Sequence, residues 1–158
     1  MDDAVARHMR RLRILVLAFL AGFAVAASVM IAVPDPQSPA LPQAGTLFWG
    51  LAFLAAVNLA TVMPSHAAML AGARRVFAVG RQPERLFAAH FAAHLVALGR
   101  VAAVAALGLV LFLLAGHRDW FWVFWAVAAS ATALLWPSRG NVIALLDTPG
   151  DRPKAPTH

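Results

Sequence analysis

The chain has 158 residues, 61% of them hydrophobic and 13% charged, with a formal net charge of +6 and a mean hydropathy of +0.73. A soluble domain carries about 25% charged residues, so this chain has too few polar side chains to cover a surface in water and reads as an integral membrane protein of one domain. It contains no Cys, which excludes disulfides, thiolate metal sites, iron–sulfur clusters and cysteine nucleophiles.

A transmembrane helix needs about 20 predominantly apolar residues, and four stretches meet that requirement. The first, residues 12–33, ends at Pro34-Asp35-Pro36. Ala24-Val25-Ala26 has the small-residue form of a signal-peptide cleavage site, but the apolar run continues through Ile31, too long for a signal-peptide core, so the span is expected to be retained. A Pro-rich loop over 34–45 leads to the second span, 46–63. A basic loop over 72–85 precedes the third, which lies within 86–115. The tight turn Gly116-His117-Arg118-Asp119 leads to the fourth, 120–136. The fold class expected is therefore all-α, a polytopic four-helix transmembrane domain over 1–146, arranged as two tandem helical hairpins. Residues 147–158 read as a flexible cytoplasmic tail.

Orientation follows from the placement of Lys and Arg. The N-terminal segment holds Arg7, Arg10, Arg11 and Arg13; the loop between spans two and three holds Arg74, Arg75, Arg81 and Arg85; the C-terminal segment holds Arg139, Arg152 and Lys154. The two remaining loops contribute only Arg118. Both termini are thus expected on the cytoplasmic side of a bacterial-type inner membrane, the bacterial assignment resting on an Ala- and Arg-rich, Lys-poor composition. The net positive charge would suggest nucleic acid in a soluble protein, but here it marks topology, and the basic rim should favour anionic lipid. Trp49, Trp120 and Trp122 would form an outer aromatic belt and Trp136 an inner one.

An offset of 73 residues superimposes Phe48-Trp49 on Phe121-Trp122 and Pro64-Ser65 on Pro137-Ser138. This is read as an internal repeat, a doubled hairpin in which proline disrupts the helix at the inner interface and a short apolar segment after it lies along the surface.

The chemistry that is missing narrows the function. None of the seven acidic residues falls within an apolar span, which argues against a carboxylate proton relay or an intramembrane aspartic dyad. There is no nucleophile elbow, no phosphate-binding glycine loop and no dinucleotide fingerprint, so no catalytic constellation is recognisable.

The polar groups inside the spans are few. His90 and His94, four apart, share a helix face, and His66 ends the second span at a similar depth. Three histidines at one level are candidates for a metal or haem site or a protonation switch; the alternative is that the rings simply sit in the headgroup region. Arg100 stands about 9 Å beyond His94 and about 120° round the helix, so it is not expected to share that site. It could snorkel to lipid phosphates or pair with another helix. Asn58, in mid-span, suits an interhelical hydrogen bond. Ala18-x-x-x-Gly22-x-x-x-Ala26, and more weakly Ala68-x-x-x-Gly72 and Gly99-x-x-x-Ala103, offer small-residue stripes for close helix approach.

Three functions are compatible with this inventory. The first is a non-enzymatic accessory or assembly partner of a larger membrane complex or homo-oligomer, with no cofactor. The second is a transporter or channel subunit using Arg100 and Asn58. The third is a haem- or metal-binding membrane protein using His66, His90 and His94.

Overall fold

The computed structural model describes residues 2–34, 42–80 and 82–146. The expected C-terminal tail and most of the Pro-rich loop lie outside these residues. Six helices follow in order: α1 (Asp2–Ala32), α2 (Ala44–Ala60), α3 (Val62–Gly80), α4 (Pro83–Ala115), α5 (Arg118–Leu134) and α6 (Arg139–Leu146). Three helical stretches are long and apolar enough to cross a membrane: Asp3–Ala32, Ala44–Ala78 and Pro83–Ala115. A fourth is added when α5 and α6, bent by 56° relative to each other, are counted as one span.

Helix α4 is the centre of the bundle and packs against α1, α2, α3 and α5. Its buried residues Ala97, Val101, Val104, Gly108, Leu111 and Ala115 recur every three or four positions, the period of one helix face. Phe23 of α1, Ala55 of α2 and Phe124 and Ala128 of α5 meet that stripe. The outer faces carry large apolar side chains such as Ile14, Val25, Ile31, Phe53 and Leu113, all more than half exposed, as expected of helices surrounded by lipid.

Turn chemistry fixes the α4–α5 hairpin. Gly116 ends α4 with φ 72° and its N–H donates to the Phe112 carbonyl at 2.9 Å, the left-handed cap that glycine adopts at least cost. So short a connection holds the helices close. A Cβ on Gly108 would lie 2.7 Å from Phe124 Cβ and 3.2 Å from the Phe121 carbonyl oxygen. The close approach anticipated for the small-residue stripes is therefore found here and not at Gly22, Gly72 or Gly99, where an added Cβ would meet nothing within 4 Å. Ala18, Gly22 and Ala26 instead line an open recess facing Ala102 and Ala105.

The structure departs from the sequence expectation at the basic loop and at the two prolines. The stretch anticipated as a basic loop, 72–85, is helical to Gly80. Ala and Arg are good helix formers, and no glycine or proline interrupts the run from Ala73 to Val79. The two prolines of the proposed repeat also act differently. Pro64 is the third residue of α3, and α2 and α3 nevertheless count as one stretch long and apolar enough to cross a membrane. Pro137 lies between helices, and the chain turns there.

Candidate histidine site

His90 and His94 fall on the buried stripe of α4, only 4% and 7% exposed. They point into the bundle and not toward lipid. Helix α3 brings His66 to them. Its Nε2 lies 3.0 Å from His94 Nδ1, and the ring centroids of His90 and His94 are 4.7 Å apart. One nitrogen from each of His66, His90 and His94 can be chosen so that all three lie within 4.8 Å of one another. The sequence expectation of three rings at one depth is thus realised as contact.

A fourth ring joins them that sequence reasoning did not single out. His8 of α1 is 5% exposed, stacks on Phe87 with centroids 4.6 Å apart, and places its Nε2 3.0 Å from His90 Nδ1. The apolar run alone starts the first span at Leu12. The helix begins at Asp2, and its first three turns carry His8 alongside α4.

Each 3.0 Å pair of ring nitrogens must share a proton or an ion, because two bare lone pairs repel at that distance. In a tetrahedral site, two ligands at 2.0–2.1 Å from one ion lie about 3.3 Å apart, so the His66–His94 separation needs little adjustment to bind an ion. His90, whose Nδ1 is engaged by His8, has Nε2 available as the third ligand. Were an ion held there, His8 would orient the His90 ring through this contact.

The three rings line a cavity of about 290 Å³. Met63, Arg74, Trp136, Ser138 and Asn141 share its wall, and the bend after α5 carries the last three of these across it. The Asn141 N–H donates to Ser138 Oγ at 3.2 Å, capping α6 in the way Ser favours. No Asp or Glu lines the cavity among the described residues. His66 and His94 already stand 3.0 Å apart, nitrogen to nitrogen, which leaves no gap for a porphyrin between ligands on opposite faces.

Arg100 and Asn58 form a separate cluster, as the rotation of Arg100 from His94 implies. Asn58 Nδ2 donates to the Arg100 carbonyl at 2.7 Å, and Arg100 Nε donates back to Asn58 Oδ1 at 3.0 Å. Arg100 Nη1 donates to the Thr61 carbonyl at 3.1 Å and to Ser65 Oγ at 2.6 Å, and Nη2 reaches Thr61 Oγ1. The guanidinium is therefore satisfied at the α2–α3 junction by carbonyl, amide and hydroxyl oxygens, and no carboxylate is required. Thr61 and Ser65, which the sequence reading passed over, are what hold it. His66 is the next residue, so the clasp also fixes the start of α3 at the level of the histidines.

Comparison with family models, with curated proteins and with solved structures finds no match.

Proposed function

We propose that this chain is a small multi-pass protein of a bacterial inner membrane, termini cytoplasmic, that holds one transition-metal ion on His66, His90 and His94 as an accessory or assembly partner of a larger membrane complex. The observation that carries the reading is the convergence of the three rings, from two helices, to within 4.8 Å in a partly enclosed cavity. The burial of His90 and His94 argues against the alternative of rings resting in the headgroup region. Arg100 and Asn58 commit their hydrogen bonds to each other and to the α2–α3 junction, which favours a structural role over a transport path. The Phe-Trp and Pro-Ser coincidences support descent of the two halves from one doubled hairpin, with the bend at Pro137 acquired in the second copy alone.

The donor set selects the ion. Imidazole suits Zn²⁺, Cu²⁺ and Ni²⁺, whereas Mg²⁺ and Ca²⁺ require oxygen ligands. Copper binds such sites more tightly than zinc, and the Met63 thioether in the same wall adds a soft donor. With three neutral ligands and an open fourth position, the ion would carry water or an anion facing the cavity.

Cobalt substitution tests this reading. Purified protein titrated with Co²⁺ should develop ligand-field absorption saturating at one ion per chain, and His66→Ala or His94→Ala should abolish it. Identical spectra for the wild type and for a variant lacking all three rings would overturn it.

A further inference from the structure

A second cavity, of about 430 Å³, opens between α1 and α4. Arg7 and Arg11 border it from α1, Phe87 and Phe91 from α4, with His8 on its wall and Glu84 at its edge. Arg7 and Arg11 are four residues apart and so project from one helix face. Both are exposed, and neither forms a hydrogen bond or ion pair among the described residues. The cavity lies where the apolar runs of both helices begin, at Leu12 and Leu86, both fully buried. Its α1 wall is cationic and the facing α4 wall carries the aromatic rings.

We propose that this groove is a specific site for one anionic phospholipid, its phosphodiester on Arg7 and Arg11 and the start of its acyl chains against Phe87 and Phe91. Guanidinium groups bind phosphate oxygens through paired donors, and two on one face can share the two free oxygens of a phosphodiester. The Phe rings present apolar surface across the groove, which a free phosphate ion would not use. Glu84 sits in the first turn of α4, where the helix dipole accommodates it. Its charge reduces the groove's net charge to about one positive unit, matching a singly charged headgroup and disfavouring a phosphomonoester. The site does not depend on the metal reading, although His8 connects the groove to His90.

The test compares two double variants that remove the same charge from the same helix. Lipid-free protein in neutral micelles is titrated with short-chain phosphatidylglycerol, and bound lipid is counted by native mass spectrometry. Arg7→Ala/Arg11→Ala should weaken binding at least about tenfold, the scale of losing charge-assisted hydrogen bonds, while Arg10→Ala/Arg13→Ala should bind as the wild type does. Short-chain phosphatidylcholine should bind more weakly than phosphatidylglycerol. Arg7→Lys/Arg11→Lys, which keeps the charge and loses the paired donors, should fall between and serves as the folding-safe variant. Equal losses in the two alanine pairs would overturn the proposal in favour of diffuse attraction to a basic rim. Displacement of the lipid by millimolar inorganic phosphate would overturn it in favour of a site for a free oxyanion.

Discussion

Removing the Arg100 side chain separates two accounts of an arginine inside an apolar helix. Its guanidinium makes four hydrogen bonds, to Asn58 Oδ1, the Thr61 carbonyl, Thr61 Oγ1 and Ser65 Oγ. Interhelical hydrogen bonds in membrane proteins contribute about 0.6 kcal/mol each by double-mutant cycles, so the four together contribute about 2.5 kcal/mol. Deleting the group also removes a half-buried charge from an apolar setting, a relief of about 1 kcal/mol near the hydrocarbon edge, well below the mid-membrane cost. Arg100→Ala should therefore destabilise the bundle by about 1.5 kcal/mol. Asn58→Ala should lose part of the same energy, with a coupling of about 1 kcal/mol between the two sites. Reversible unfolding in mixed micelles, measured as a double-mutant cycle, reads both quantities. An arginine that merely snorkels to lipid phosphate would show no coupling to Asn58, and additive single variants would refute the clasp.

Three further outcomes follow from packing and ligand chemistry. Gly108→Ala should destabilise by about 1–3 kcal/mol, because the new methyl meets Phe124 Cβ and the Phe121 backbone. Gly22→Ala, with nothing within 4 Å, should be neutral or stabilise by up to about 1 kcal/mol; equal effects at the two glycines would contradict the packing. The Thr132 hydroxyl is fully buried with no hydrogen-bond partner among the described residues, so Thr132→Val should raise stability by about 1 kcal/mol, and a loss in thermal unfolding would show that the hydroxyl is satisfied. Metal affinity should decline as pH falls, since imidazole must be neutral to bind an ion and protons compete for the same lone pair; competition titrations with a chromogenic chelator at several pH values would detect a pH-independent affinity, which would exclude histidine ligation.

The apolar stretches were legible because hydropathy over 20 residues reports on lipid burial directly. The limits of the helices were not, since a helix need not end where its apolar run ends: α1 begins ten residues before Leu12, and α3 continues through the arginines as far as Gly80. His90 and His94 were recognisable from spacing alone, and His66 from its depth. His8 was hidden by the same boundary assumption that started α1 at Leu12. The partners of Arg100 depend on how α4 rotates against the α2–α3 junction, a tertiary relation that no spacing within one helix encodes. Gly108 could not be told from the other small residues either, because its importance arises from the turn at Gly116 that draws α5 against it.

The most direct test of the metal-holding role is the metal content of protein purified without added chelator, measured by elemental mass spectrometry beside a His66→Ala/His90→Ala/His94→Ala variant of the same preparation. One equivalent of copper or zinc per chain in the wild type, absent from the variant, is the expected result. A wild type that carries no more metal than the variant, and acquires none on incubation with Cu²⁺ or Zn²⁺, would contradict it.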